Sequence, residues 1–472
     1  VLQSLPLVSL HVTTEPGGTP VVYAIGDPPT AAALDDYGFW VDRLGEEDEP
    51  QRTQLHLLRD DRQMETGFLV PSGNSSSLFS GSRAARRVLA STREGLVVAL
   101  PPGEPPERYP FSGARHGRSL MLIPSAGLLE AAAVGLDSAR TAGAILDADP
   151  LSTEEINVLQ KHIDEKAIYR DVVRYSETLP IKGDRRLQSR HIFHDDNADA
   201  TRALVADLES RGRGLVVRTR TFTPYLKEIA NVEARIPGSE PVEVIIVSAH
   251  LDSTAEQGGT YDKELDPAPG ADDDASGIAG VLAAAGALAE LAEIRPPRRE
   301  IRFVLFNSEE EGMAGSARYA EEERQSSTKI VAVFHMDMIG QNAAGEPDWE
   351  VHAGCSCAPG IRDQTLALAQ QIATLVPRVS DRLPLPQVYS TALGLDEDPG
   401  EQRSDHYNFL LRNYPACYIC EDFYPGPSAH SPQEERNEHY HRPSDVAQFV
   451  NPGYAADIAR VVAAAAWVMA TR

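Results

Sequence analysis

EVIIVSAHLDSTAEQGGTYDKELDPAPGADDDASGIAG, residues 243–280, is the stretch that decides the fold. Residues 244–247 are apolar and β-branched. The run is too short for a helix and predicts a buried strand. It runs out at His250-Leu251-Asp252, where strand alternation puts His250 and Asp252 on one face. A loop rich in Gly, Pro and Asp follows, then Asp272-Asp273-Asp274, then an Ala- and Leu-rich helix predicted over 278–291. Aspartates at a helix start are ordinary caps, suited to the positive end of the dipole. The His at the end of the preceding strand adds another reading. Imidazole nitrogen and carboxylate oxygen are zinc ligands, and sites in open α/β sheets form beyond the carboxyl ends of strands. Such a site demands more His and carboxylates at other strand ends.

They are there. A strand predicted over 301–306 runs into Asn307-Ser308-Glu309-Glu310-Glu311-Gly312, with a helix continuing to about residue 324. A strand over 330–335 ends at Met336-Asp337-Met338, and a late loop, 438–445, carries His441. Further strands are predicted at 215–217, 231–235 and 416–419. Helices are predicted at 156–168 (opened by Ser152-Thr153-Glu154-Glu155), 195–208, 361–376 and 454–471. This alternation argues for an α/β fold, a largely parallel mixed sheet sandwiched between helices. With one Glu of the pair, the strand ends offer two His and three carboxylates, enough for two zinc ions sharing one carboxylate. Such a pair lowers the pKa of a bridging water and stabilises an oxyanion. A further carboxylate can shuttle the proton, and Asp252 is placed to orient His250.

Residues 1–150 read differently. Short apolar runs at 8–12, 21–25, 95–100 and 119–123 are separated by turn signals such as Pro16-Gly17-Gly18 and Pro101-Pro102-Gly103. They predict a smaller α/β or β-rich accessory domain, a propeptide, lid or docking module, ahead of a second domain over 151–472. His11, His56 and His116 are isolated there and read as solvated or structural. The chain carries 44 Lys and Arg against 70 Asp and Glu, a net charge of −26. That excess argues against nucleic acid and anionic membrane as partners. No run approaches the roughly 18 to 20 apolar residues of a membrane helix. The chain opens at Val1 without a visible signal peptide, as expected where a leader has been removed. Of the four cysteines, Cys355 with Cys357 and Cys417 with Cys420 form two close pairs. Disulfides in an oxidising compartment are favoured over a four-thiolate zinc, with buried thiols as the plain alternative. Asn74-Ser75-Ser76 fits a glycosylation sequon.

The motifs H-L-D-S-T, P-G-A-D-D-D-A-S-G, E-E-x-G-x-x-G-S, a strand-final D-M, S-D-H and H-x-P-x-D, in that order over about residues 170–472, resemble the two-zinc exopeptidases. That family spans secreted bacterial leucyl aminopeptidases, glutamate carboxypeptidases, glutaminyl cyclases and the metal-free transferrin receptor. The resemblance implies a secreted or periplasmic enzyme with two Zn2+ per chain, acting on peptides. Asp273 would bridge the metals. His250 and Asp337 would complete one site, Glu310 and His441 the other, and Glu309 would be the general base and acid. The Gly312 and Gly315-Ser316 spacing sets this register and leaves Glu311 at a variable position. The Pro443 and Asp445 spacing favours His441 over His439, His430 and His406, with Ser444-Asp445 capping the next short helix. Asp405 and His406 match a loop beside the site. Where some relatives carry an oxyanion-stabilising Tyr, this chain has Glu401, which leaves Tyr407 or Tyr424 as candidates. The expected activity is an aminopeptidase for apolar N-terminal residues. The alternatives are a carboxypeptidase or dipeptidase using Arg403 or Arg442, glutaminyl cyclase activity, or a non-catalytic docking module.

Overall fold

In a computed structural model of the chain, the described residues are 5–14, 20–41, 54–59, 87–91, 95–104, 106, 117, 119–125, 128, 151–176, 179–240, 243–342, 347–393, 395, 398–424 and 437–472. The sequon at Asn74, the turn at Pro16-Gly17-Gly18, His116 and His430 lie outside them. In the N-terminal part, β1 (Leu7–Thr14) and β2 (Pro20–Gly26) pair antiparallel, followed by α1 (Pro28–Asp36). Strands β3 (Gln54–Arg59), β4 (Arg87–Ser91), β5 (Gly95–Leu100) and β6 (Ser119–Met121) form an antiparallel sheet ordered β4-β5-β3-β6.

The larger part begins with α2 (Thr153–His162), α3 (Glu165–Ser176) and α4 (Asp196–Arg211). Then come β7 (Val216–Phe222), β8 (Ile229–Ile236), β9 (Glu243–His250), α5 (Ala275–Ile294), β10 (Glu300–Phe306), α6 (Ala314–Gln325) and β11 (Lys329–Met336). The last elements are β12 (Trp349–His352), α7 (Arg362–Val379), β13 (Gln387–Tyr389), α8 (His406–Leu410), β14 (Ala416–Glu421) and α9 (Pro452–Thr471). The eight strands form one mixed sheet ordered β13-β12-β14-β11-β9-β10-β8-β7. Its centre, β14-β11-β9-β10, is parallel, while β8, β7 and the β12–β14 pair add antiparallel contacts. Strand β9 has parallel partners on both sides and is buried from Val244 onward, which explains its continuous apolar run.

Alternation along β9 sorts its side chains between two cores. Ile245 and Val247 pack with Leu282 of α5, Val462 of α9 and Ile372 of α7. Val244 and Ile246 face the other way, into a core shared with Met313, Tyr319, Phe409 and the N-terminal residues Leu57, Val97 and Leu120. The accessory sheet therefore covers one face of the large sheet. The described His residues of the N-terminal part are buried: His11 stacks on Tyr23 at 6.0 Å between ring centroids, and His56 stacks on Tyr225 at 5.8 Å.

Three sequence expectations need correction here. The single helix over 156–168 is two helices. The first carries the predicted capping box from Ser152 to Glu155, and Asp164 starts the second by accepting the Ala167 N–H at 2.7 Å. No disulfide joins any of the four cysteines, all of which lie among the described residues. Cys417 and Cys420 lie three residues apart on β14, so their side chains point to opposite faces and enter different cores. Two helices, α5 and α9, are long and apolar enough to cross a membrane. Their apolar windows are 89% and 100% buried against the sheet and its other helices, which accounts for their composition.

Candidate metal centre

Strands β9, β10 and β11 end side by side, and each delivers a polar residue to the same edge. His250 is the last residue of β9, Asp337 follows β11, and Glu309-Glu310 sit in the turn after β10. The start of α5 supplies Asp273. Asp274 caps that helix, accepting the Gly277 N–H at 2.9 Å, and also accepts the His250 N–H at 3.0 Å. The predicted aspartate cap and the predicted ligand are thus neighbouring residues.

Asp273 stands between two imidazoles. Its Oδ1 lies 2.9 Å from His250 Nε2, and its Oδ2 lies 3.0 Å from His441 Nε2. Asp337 Oδ1 is 3.4 Å from His250 Nε2, and Glu310 Oε2 is 3.0 Å from His441 Nε2. In the His250–Asp273–Asp337 group and in the Asp273–Glu310–His441 group, the ligand-type atoms lie within 4.8 Å of one another. Glu309 is buried between these groups, with His250, Glu310 and Asp337 close enough to act on its charge. Four carboxylates thus face two imidazoles in a buried pocket. This donor set fits two divalent cations, and oxygen with nitrogen is the ligand chemistry of zinc. Burial pushes the Glu309 carboxyl well above the usual carboxylate range. Burial disfavours the His441 imidazolium, yet Glu310 and Asp273 outweigh it and raise that group to about 9.

The backbone around the centre is bent to present these groups. Ser308, Met338 and His441 adopt φ of 67°, 60° and 52°. Non-glycine residues in this region cost of order 1–3 kcal/mol and cluster at functional sites. Gly270 (φ 53°) is required, since a Cβ there would meet the Asp273 carbonyl oxygen at 2.2 Å. Gly315 is needed on steric grounds, because a Cβ would meet the Asn307 carbonyl oxygen at 2.2 Å.

Several side chains hold this backbone. Asp252 accepts the N–H of Glu309 at 3.0 Å and of Glu310 at 3.1 Å, while its distance to His250 Nδ1 is 3.7 Å. Its firmest contacts are with the glutamate turn rather than with the imidazole. Asp445 accepts the N–H groups of Asp272 at 3.0 Å and Asp273 at 3.1 Å. It does not cap the following short helix, whose N-cap is Val446 without a side-chain bond. That corrects the capping expectation: the buried aspartate loop competes for the same carboxylate. Ser404 donates to Asp337, so its oxygen accepts from His335 Nε2 at 2.8 Å, and Ser248 lies 3.0 Å from His335 Nδ1. Buried Arg190 donates to the carbonyls of Leu251 at 2.8 Å, Pro269 at 2.7 Å and Gly270 at 2.9 Å, stapling both ends of the loop 251–270. No sequence signal marks Arg190, because its partners are all carbonyls.

The remaining named residues divide. Asp405 binds Ser316 Oγ, and burial raises its carboxyl to about 8. His406 stacks on Tyr418 at 5.4 Å. Glu401 accepts from Ser356 N and Oγ, both at 2.6 Å, and so anchors the loop after β12. Tyr407 packs under Arg59 on the N-terminal side, whereas Tyr424 joins Met338, Tyr418, Cys420, Phe423 and Tyr440 in a buried cluster whose Tyr440 stacks on His441. Glu311 is fully buried, with His191 Nε2 3.4 Å away. A third close group is Glu350, His352 and Cys420. There His352 is already engaged by Asp398 at 2.6 Å and Glu350 at 3.2 Å.

The model of peptidase family M28 matches residues 231–466. A "probable zinc metalloprotease" of Pyrenophora tritici-repentis is 27% identical over 290 residues, 58% of this chain and 57% of that protein. One of Pyricularia oryzae is 29% identical over 265 residues, 52% of this chain and 50% of that protein. The chain thus spans about half the length of the curated relatives it matches. Among solved structures, the Legionella pneumophila LapA aminopeptidase superposes with a TM-score of 0.58 at 17% identity, over 89% of this chain and 99% of that one. Legionella pneumophila LapB gives 0.59 at 16%, over 89% and 100%. At these identities the likeness is one of fold.

Proposed function

The chain belongs to peptidase family M28, and on that premise we propose that it is a zinc-dependent aminopeptidase carrying two Zn2+. One observation carries the reading: the two oxygens of Asp273 face the Nε2 atoms of His250 and His441 at 2.9 and 3.0 Å, the geometry of a bridging carboxylate. His250 and Asp337 would complete one site, and Glu310 and His441 the other. Bound there, the ions supply an activated water and stabilise the oxyanion. Glu309 takes the proton of the attacking water and returns it to the leaving amine. Burial raises the pKa of its carboxyl, the direction that favours handing a proton back to the leaving amine. Asp252 holds Glu309 and Glu310 in place through their backbone N–H groups. The proposal includes a preference for apolar N-terminal side chains.

The proposal extends to a secreted or periplasmic location, to peptides as partners, and to no membrane span or nucleic acid. The acidic balance supports the last of these, and the cysteines, which form no disulfide, lend the oxidising compartment no support. The proposal also includes a division at about residue 150 between an accessory domain and the peptidase domain. The test is zinc content measured alongside hydrolysis of leucine, alanine, arginine and glutamate amides and of an N-acetylated peptide with a free C-terminus. The expected result is about two zinc ions per chain with cleavage of the leucine amide. Cleavage of the blocked peptide alone would replace the aminopeptidase reading with a carboxypeptidase. Absence of zinc and turnover would overturn both.

A further inference from the structure

We infer that Glu256 is the positioning residue for His441, setting the tautomer and aim of the imidazole at the second metal group; this rests on the zinc reading above. Glu256 opens a short turn, Glu256–Gly258, in the loop between β9 and α5. Its Oε1 lies 3.2 Å from His441 Nδ1, and both side chains are largely buried, at 12% and 2% exposure. The turn is seated against the His441 loop at two further points. Gln257 N–H donates to the His441 carbonyl at 2.9 Å, and a Cβ on Gly258 would meet Pro443 Cδ at 2.5 Å. Tyr440 stacks on the His441 ring at 3.8 Å with an interplanar angle of 22°, which fixes the ring plane. The remaining freedom is which nitrogen carries the proton. A carboxylate at Nδ1 keeps that proton there and leaves the Nε2 lone pair facing Asp273 and Glu310, each 3.0 Å away. A carboxylate behind a metal-binding imidazole also raises its basicity, and loss of such a partner costs about 10–100-fold in metal affinity.

The arrangement is asymmetric. His250 Nδ1 has Asp252 at 3.7 Å, and that carboxylate is committed to two backbone N–H groups. Substitution of Glu256 therefore weakens one site and spares the other. The experiment titrates Zn2+ into the metal-free full chain by competition with a chelating dye, for wild type, Glu256→Ala, Glu256→Gln and His441→Ala. The Nδ1 proton of His441 is followed by NMR of histidine-labelled protein. In Glu256→Ala one site weakens about 10–100-fold, the other holds, and the Nδ1 proton resonance is lost. Glu256→Gln, which keeps an acceptor without the charge, falls between Glu256→Ala and wild type and guards against misfolding as the cause. Wild-type affinity at both sites in Glu256→Ala, with the Nδ1 resonance in place, overturns the inference. A fall in thermal stability without any change in zinc affinity or resonance also overturns it and leaves Glu256 as a loop anchor. Two zinc ions bound by His441→Ala would instead break the ligand reading itself.

Discussion

His250 and Asp337 stand at the ends of β9 and β11, adjacent parallel strands in the middle of the sheet, whereas Glu310 and His441 ride on loops. Sheet register alone brings the first pair together. The second pair depends on side chains that are not ligands, Asp252 on the glutamate turn and the turn at Glu256 on the loop of His441, while Asp445 holds the aspartate loop that both pairs share. The contrast shows that rigidity at a two-metal centre is supplied in two ways. One half inherits it from the backbone ladder. The other builds it from charged acceptors on buried N–H groups, which are stronger than neutral ones but lost one at a time.

Asp273 belongs to both halves, so its substitution is the severest way to break the comparison. Asp273→Asn should release both zinc ions and drop turnover to background. Loss of a single ion, read by metal analysis after gel filtration, would remove Asp273 from the bridging position. Glu309→Gln should touch neither half: zinc content stays at the wild-type level while kcat falls by at least about 100-fold. If that variant loses zinc, Glu309 is a ligand and the register of the glutamate turn is shifted by one. Asp445→Ala sharpens the contrast at the smallest scale. It strands two buried N–H groups, at a cost of about 1–3 kcal/mol each. Chemical denaturation should show that loss, together with weaker zinc retention at the sites that share Asp273. An unchanged denaturation midpoint would mean that other groups hold the aspartate loop.

The strand-end half was the more legible in the sequence. A β-branched run that stops at a His, or an apolar run that stops at Asp-Met, carries its position with it, and the register of β9, β10 and β11 turns three such stops into one locus. In the loop half, Glu310 followed from the stop of the strand before it, whereas His441 was found only by motif spacing. The clamping roles were less legible: Arg190 acts on four carbonyls, and Asp445 reads as a helix cap because the loop it holds lies far away in sequence. Among fold elements, β3 was missed because its apolar residues are interrupted by His56 and closed by Arg59. Both are buried against aromatic rings of the larger part. Strands β12 and β13 were missed because they are four and three residues long. For Cys417 and Cys420 the disulfide expectation failed on strand geometry. The membrane-length expectation missed α5 and α9, whose apolar character serves the core.

Helix α9 packs on β9, α5 and α7, yet follows every strand in the chain. During synthesis the sheet can pair before the segment that covers one of its faces has left the ribosome. Ile245 and Val247 then have only part of their final cover, and the contacts that close the core join residues far apart in sequence. Such late, long-range closure is slow and leaves apolar surface open to other chains. Substitutions that weaken α9 should therefore show up first as poor recovery of folded protein, through aggregation before residues 452–471 dock.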